Sequence, residues 1–303
     1  MRARDVRTQE FVTRLRNGEV IVADGAMGTM LQAAGLPPGT PPEGWLLENP
    51  QAVVDVHRAY IQAGADLILT CTFGATQPRL ERSGLGDRVR EVNRRAVEIA
   101  REAAGTTAFV AGDIGPLGEF LAPLGQLDYE EAVDLFAEQA EALAETGVDV
   151  LYIETMAALD EAAAAVEGAL SAGGGTPVTA TFSFDTHGRT NMGLRPEQAA
   201  ETLLDLGVEA LGANCGATLD MTLNAVQMMH DVVPGMPLIV KPNAGKPRLV
   251  HDEVVYDATL DDMATYARRF VDVGARIIGG CCGSTPEHIA AIAAAVRSRD
   301  AGA

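Results

Sequence analysis

The cysteines of this chain are the residues whose spacing points most directly to chemistry. Cys281 and Cys282 are adjacent within Gly-Gly-Cys-Cys-Gly, and Cys215 lies within Asn-Cys-Gly. Neighbouring side chains of a regular strand point to opposite faces, so both thiols of the pair can reach one ion only where glycines break the strand. Three thiolates with an open fourth position are typical of a catalytic zinc site rather than a closed structural one.

Two other interpretations of these cysteines stay open at this point. A small buried thiol is the commoner role of any single cysteine, and a vicinal disulfide between Cys281 and Cys282 is a rarer possibility. The chain has only 4 cysteines, which in a reducing compartment favours buried thiols, a metal site or a catalytic thiol over a disulfide framework. The positions of the three sulfurs in the fold decide among these possibilities.

Strand patterns show how residues so far apart in the chain can meet. Consecutive Val, Ile and Leu residues predict eight strands buried on both faces, over residues 20–24, 66–72, 108–113, 148–155, 178–184, 210–215, 237–243 and 276–281. Functional side chains cluster at or just beyond the C-terminal ends of these strands. They are Asp24, Phe73, Asp113, Glu154, Cys215, Asn243, Cys281 and Cys282.

Helical patterns separate the predicted strands. Asn49-Pro50 predicts a helix start, and the pairs Asp128 with Glu131 and Ser284 with Glu287 predict capping boxes. A repeated junction, in which a glycine ends a helix and an apolar strand follows, occurs at Gly64, Gly147, Gly207 and Gly274.

Eight repeated βα units favour a closed (β/α)8 TIM barrel, an α/β fold, over a doubly wound sheet. We expect a single barrel domain over residues 20–298, an N-terminal helical extension over residues 1–19 and a frayed C-terminus over residues 299–303. In such a barrel the C-terminal ends of all strands open onto one face, so the predicted zinc site would lie there.

Composition narrows the class of partner. The formal net charge of −19 argues against a nucleic-acid partner, because it would repel a phosphate backbone. No apolar run approaches the roughly 20 residues that cross a bilayer, and the first ten residues are rich in charge. We therefore expect a cytoplasmic protein without a membrane partner.

Seven segments resemble the homocysteine S-methyltransferase family, and most closely the homocysteine-binding module of the cobalamin-dependent methionine synthases. They begin at Asp24 (DGAMGTM), Leu69 (LTCTFGAT), Ala111 (AGDIGP), Ile153 (IET), Gly212 (GANCG), Lys241 (KPNAGKP) and Gly279 (GGCCGSTPEHI). The two cysteine motifs are the most specific, and the resemblance covers nearly the whole chain.

The resemblance implies a zinc ion on Cys215, Cys281 and Cys282 that binds L-homocysteine as a thiolate, which attacks a methyl group to give methionine. It implies that Glu154 and Asp24 bind the substrate ammonium, and that backbone amides of Ala26 and Met27 bind its carboxylate. Further candidate substrate-site residues are Phe73, Asp113 and Asn243, and Asn243 or water is a candidate fourth zinc ligand when no thiol is bound.

The resemblance also bears on the identity of the methyl donor. The Lys241 and Ala111 segments are similar to the cobalamin-dependent branch, which implies methylcobalamin on a corrinoid protein or on an adjoining cobalamin or folate module. No corrinoid-binding Asp-x-His-x-x-Gly motif occurs in the chain. One alternative is that S-methylmethionine or betaine is the donor, and another is that a different thiol is the acceptor. A third alternative is a non-catalytic zinc or thiol-binding protein. Cys71 departs from the family pattern, and we expect a thiol near the site without a metal.

Overall fold

The computed structural model describes residues 3–185, 187–250 and 253–300. Its strands are β1 (Ile21–Val22), β2 (Leu67–Leu69), β3 (Phe109–Ile114), β4 (Val150–Met156), β5 (Val178–Phe182), β6 (Ala210–Cys215), β7 (Leu238–Pro242), β8 (Pro247–Val250), β9 (Glu253–Tyr256) and β10 (Ala275–Ile278). Eight of them form one parallel sheet in the order β1, β10, β7, β6, β5, β4, β3, β2. A parallel bridge between Ala23 and Leu67 joins its two edges. The predicted (β/α)8 barrel is confirmed.

Helices separate the barrel strands along the chain, and the longer helices after β1 cover the outer surface of the barrel. The helices are α1 (Ala3–Arg16), α2 (Met27–Ala33), α3 (Trp45–Glu48), α4 (Pro50–Gln62), α5 (Gln77–Glu81), α6 (Val89–Ala104), α7 (Tyr129–Thr146), α8 (Leu159–Ala172), α9 (Pro196–Asp205), α10 (Leu219–Val232), α11 (Leu260–Val273) and α12 (Pro286–Asp300). No helix in the described part of the chain has the length and apolar character to cross a membrane.

Burial of the strands explains their continuous apolar runs. Alternate side chains point into the barrel, as Val150 and Tyr152 do on β4, while Leu151 and Ile153 pack against the helices. Both faces of each strand are therefore dry, as expected for a parallel sheet covered on both sides. The four predicted junction glycines all have positive φ, between 81° and 106°, and each lies between a helix and the following strand.

Helix α1 closes the end of the barrel that lies opposite the candidate site. Phe11, Val12 and Leu15 are buried against the interior residues of the strands, including Phe109 and Ile277. The segment before the first strand therefore belongs to the packed structure. The end of α12 at Asp300 falls within the segment predicted to fray, and residues 301–303 lie outside the described residues.

Two predicted capping boxes are wrong. Asp128 precedes α7 but makes no side-chain cap hydrogen bond, and the acidic first turn of that helix supplies favourable charge at its positive end instead. The hydroxyl of Ser284 has no hydrogen-bond partner among the described residues. Thr285 rather than Ser284 immediately precedes the helix, because Pro286 is its first residue. The Thr285 hydroxyl lies 3.0 Å from His288 Nδ1.

A hairpin between the seventh and eighth barrel strands was not anticipated. Strands β8 and β9 pair antiparallel outside the barrel. The ring of Tyr256, at the end of β9, packs so closely against Gly283 that a β-carbon there would lie 2.2 Å from it. The hairpin therefore contacts the segment that carries the adjacent cysteines.

Candidate functional site

The three predicted cysteines meet at the C-terminal end of the barrel. Cys215 is the last residue of β6, and Cys281 and Cys282 follow β10. Their Sγ atoms all lie within 4.8 Å of one another, and those of Cys215 and Cys281 are 2.7 Å apart. Sulfurs around a tetrahedral zinc ion lie about 3.8 Å apart for bonds of about 2.3 Å. All cysteines are free thiols, so these three residues could hold a metal ion.

Close backbone contacts hold the cysteine pair in place. A β-carbon on Gly279 would lie 2.6 Å from the carbonyl oxygen of Asp24, and one on Gly280 would lie 2.1 Å from Ser284 Oγ. Only glycine permits these approaches. The amide of Cys281 donates to the carbonyl of Pro242 at 2.7 Å, which fixes the pair against the end of β7.

The thiols compete for protons because their sulfurs are so close. The pKa of Cys281 is raised, first by its hydrogen bond to Cys215 and then by its hydrogen bond to Cys282 and by burial. Hydrogen bonds from Cys215 and Cys281 lower the pKa of Cys282 to about 3. A divalent cation would remove this competition because it stabilises all three thiolates together.

A cavity of about 490 Å³ opens beside the sulfurs. Among the ten site residues predicted from the sequence, all except Asn243 line it. The other lining residues are Gly25, Gly28, Thr29, Gln32, Pro42, Glu43, Leu69, Thr70, Cys71, Thr155, Lys241 and Gly280. The fold therefore brings residues between positions 24 and 282 together around one cavity, as we predicted from their places at the ends of strands.

The carboxylate of Asp24 is already engaged by the protein. One oxygen forms an ion pair with Lys241 Nζ at 2.8 Å, and the other accepts the amide hydrogen of Leu69 at 2.8 Å. Burial raises the pKa of Asp24, whereas Lys241 opposes this effect. Burial also works to lower the pKa of Lys241, but the charges of Asp24 and Glu154 outweigh it and raise that pKa.

Glu154 and Asp113 are the acids with fewer partners. Among the described residues, the Glu154 carboxylate contacts Asn214 Nδ2 at 3.4 Å, and Asp113 Oδ1 is buried without a hydrogen-bond partner. Burial raises the pKa of Glu154 to about 7. Burial, followed by the charge of Glu154, raises the pKa of Asp113 well above its ordinary value. An incoming cation would find weakly engaged carboxylates in both Glu154 and Asp113.

Asn243 lies behind the sulfurs rather than in the cavity wall. Its Nδ2 donates to the carbonyl of Gly216 at 2.8 Å, and its amide donates to the carbonyl of Cys215 at 3.2 Å. Its Oδ1 is buried and has no hydrogen-bond partner in the described chain. Cys71 is buried in the cavity wall and does not belong to the group of three sulfurs.

Sequence reasoning missed three residues that shape the site. Lys241 forms the ion pair with Asp24, and a lysine inside an otherwise apolar strand was the signal that could have revealed it. Asn214 on β6 hydrogen-bonds Thr155 and Glu154 on β4, across the intervening strand β5. Glu43 is buried in the cavity wall and accepts the amide hydrogen of Gly74 at 2.6 Å. The long loop after β1 gave no pattern that would single out Glu43.

Comparisons with known proteins agree with this arrangement. A family model described as homocysteine S-methyltransferase matches residues 21–296. The chain is 33% identical to a methionine synthase of Mycobacterium tuberculosis over 295 residues, which is 91% of this chain but 24% of that protein. It thus spans about a quarter of the methionine synthases it matches. It is 32% identical to betaine--homocysteine S-methyltransferase 1 of Mus musculus, covering 93% of this chain and 74% of that protein.

The solved structures add a match over almost the full length of both chains. The metallated form of the homocysteine methyltransferase MmuM from Escherichia coli superposes with a TM-score of 0.77 at 29% identity, and covers 91% of this chain and 96% of that chain. Three cysteine sulfurs at the mouth of a (β/α)8 barrel accompany a family match over residues 21–296. The chain therefore belongs to the homocysteine S-methyltransferase family.

Proposed function

We propose that this protein is a zinc-dependent homocysteine S-methyltransferase that transfers a methyl group to the thiol of L-homocysteine and so produces methionine. The convergence of the sulfurs of Cys215, Cys281 and Cys282 beside an acid-lined cavity is the observation that carries the proposal. The same cavity is lined by Glu154, whose carboxylate makes one weak contact among the described residues. It therefore offers a thiol and an ammonium group separate partners.

A zinc ion fits the donor set. Cysteine thiolates are among the preferred ligands of zinc, and three of them leave one of four positions for a substrate. When bound, the ion would lower the pKa of the substrate thiol, so that the thiol would lose its proton and its sulfur would remain nucleophilic. Asn243 Oδ1, which lacks a partner, supports the hypothesis that this residue or water completes the site when substrate is absent.

The polar end of homocysteine would bind away from the sulfurs. Of the two weakly engaged acids, Glu154 is the first candidate for the ammonium group, as the sequence predicts, and its carboxylate makes one weak contact among the described residues. Asp24 remains a predicted second partner, although it is held by Lys241 and Leu69. Helix α2 begins at Met27 without a side-chain cap, which leaves amide hydrogens at its start free for the substrate carboxylate.

The remaining predicted residues would shape the cavity around the substrate. The ring of Phe73 packs against Gly115, where a β-carbon would lie 2.6 Å from it, and Arg79 lies over the ring at 5.5 Å. Asp113, which is buried and has a raised pKa, would brace this wall. Cys71 would act as a buried thiol near the site without binding the metal.

For the methyl donor we propose methylcobalamin on a separate corrinoid protein or module. Support comes from the sequence segments similar to the cobalamin-dependent branch and from the methionine synthases, whose length this chain covers only in part. S-methylmethionine or betaine is the alternative donor. In its support, the chain covers 74% of the betaine--homocysteine S-methyltransferase of Mus musculus and 96% of the homocysteine methyltransferase MmuM. A protein that binds zinc and thiols without catalysis is a third possibility.

Mass spectrometry of the product tests these proposals together. Zinc-loaded protein is incubated with homocysteine and, in separate reactions, with methylcobalamin, S-methylmethionine or betaine. We expect methionine in the methylcobalamin reaction, and none when homocysteine is omitted. Methionine from one of the other donors alone would identify the alternative enzyme. Zinc uptake without methionine from any donor would refute the enzymatic function.

A further inference from the structure

The backbone at the end of β4 is irregular where Glu154 enters the cavity. The pairing of β4 with β5 shifts register between Ile153 and Met156, and both of these side chains pack outward against the helices. Two residues, Glu154 and Thr155, therefore occupy the space of one, as in a β-bulge. Thr155 has a φ of 62°, a conformation that a β-branched residue rarely adopts. Some contact must stabilise it.

The carboxamide of Asn214 makes that contact. Its Oδ1 accepts the backbone amide hydrogen of Thr155 at 2.8 Å and the hydroxyl hydrogen of Thr181 at 2.8 Å. Its Nδ2 donates to the Thr155 hydroxyl at 2.6 Å. A backbone amide can only donate, so Oδ1 must face Thr155 and the orientation of the carboxamide is fixed. Asn214 thus clamps the bulge from β6, across the intervening strand β5.

The same amide group also faces the sulfurs and the candidate ammonium partner. Nδ2 lies 3.4 Å from Glu154 Oε2 and 3.9 Å from Sγ of both Cys215 and Cys281. Asn214 is buried, so water does not compete for these contacts. The Asn214 amide group carries two hydrogens. It lies near four acceptors, which are the Thr155 hydroxyl, the Glu154 carboxylate and the two sulfurs. The acceptors must share the hydrogens, and a change at one alters what the others receive.

We propose that Asn214 is a positioning residue that couples recognition of the homocysteine amino group at Glu154 to the electron density of the metal-binding sulfurs. This inference rests on the proposed function. When an ammonium group pairs with Glu154, it supplies that carboxylate with hydrogen bonds, and the Asn214 hydrogen turns toward sulfur. A thiolate that accepts a hydrogen bond donates less charge to a metal, which then binds the incoming substrate sulfur more strongly.

Thiol binding by the cobalt-substituted protein tests this coupling without any methyl donor. The two ligands are homocysteine and 4-mercaptobutanoate, which has the same carbon chain and thiol but lacks the amino group. Thiolate-to-cobalt absorption bands report both ligand binding and the electron density of the cysteine sulfurs. The variants are Asn214→Ala and the double variant Asn214→Ala with Thr155→Gly, in which glycine adopts the positive φ without the clamp. Thr155→Gly alone and Thr181→Val are the controls.

We expect the wild-type protein to prefer homocysteine, and the ratio of the two dissociation constants to fall about tenfold in both variants that lack Asn214. Their absorption bands should move to lower energy, because the sulfurs lose a hydrogen-bond donor. Thr181→Val keeps the amide hydrogens and should hold the ratio within about twofold. An unchanged ratio, with both thiols weakened equally, would make Asn214 a scaffold residue and overturn the inference. A wild-type protein that binds neither thiol would instead refute the proposed function.

Discussion

Replacing Glu154 by glutamine tests the claim that the cavity is organised for a cation. Burial raises the pKa of Glu154 from 4.5 to about 7 in the folded protein. Above pH 4.5 the unfolded chain releases this proton while the folded protein retains it, so stability falls as pH rises and levels off above pH 7. The gap of about 2.5 pH units corresponds to about 3 kcal/mol of lost stability at pH 8.

Glutamine has nearly the same shape as glutamate and carries no charge at any pH. We therefore expect Glu154→Gln to be more stable than the wild type by about 3 kcal/mol at pH 8, and by almost nothing at pH 4.5. For a chain of this length the gain corresponds to about 5 °C in melting temperature. Urea unfolding of the metal-free protein, with chelator and reductant, measures the difference at each pH.

Asp149→Asn provides a control of opposite sign. Asp149 is fully buried, and its carboxylate pairs with Arg101 at 2.7 Å and Arg7 at 3.6 Å. Removing one member of a buried ion pair costs about 3–5 kcal/mol, so this variant should be less stable at pH 8. The reasoning about Glu154 is wrong if its glutamine variant shows the same stability difference at both pH values. In the zinc-loaded protein, the stabilised variant should bind homocysteine more weakly.

Two further substitutions test the metal site and the cavity wall. Cys282→Ala should lose stoichiometric zinc after dialysis and should form no methionine. As the control, Cys71→Ala should keep one zinc per chain in metal analysis. A normal zinc content in Cys282→Ala would contradict the assignment of Cys282 as a ligand. Gly25→Ala should destabilise the fold by about 1–3 kcal/mol in thermal unfolding, because its β-carbon would lie 2.8 Å from the buried ring of Tyr60. Gly44→Ala, which meets no atom within 4 Å, should be nearly neutral, and equal effects of the two alanines would refute the packing argument.

The barrel could be predicted because its signals are local and repeated. Each strand is a short apolar run, and each of the four junction glycines has the positive φ that its place after a helix requires. The cysteine site could be predicted for a related reason. Cys215 and the glycine-flanked pair at 281 and 282 lie at strand ends, and barrel topology alone brings strand ends together.

The contacts within the site depend on side-chain choices that the sequence does not display. Lys241 and Asp24 are 217 positions apart, and their pairing follows only from the opposed positions of β7 and β1 next to β10. The positive φ of Thr155 arises from a bulge on β4, where no glycine marks the position. The capping boxes failed because short polar side chains near a helix start have several alternative partners.

Under the proposed function, the acidic groups of the cavity would suit a thiol amino acid. Asp24 and Lys241 form an ion pair, whereas Glu43, Asp113, Glu154 and the three cysteine thiols are further acidic groups around the cavity. Without cations this arrangement costs stability, as the raised pKa of Glu154 shows. A divalent metal would offset the charge of the thiolates and a substrate ammonium would offset that of Glu154, so each cation would relieve a different part of the cost. The spacing between those two negative regions would then select a ligand that carries its amino group and its thiol at opposite ends.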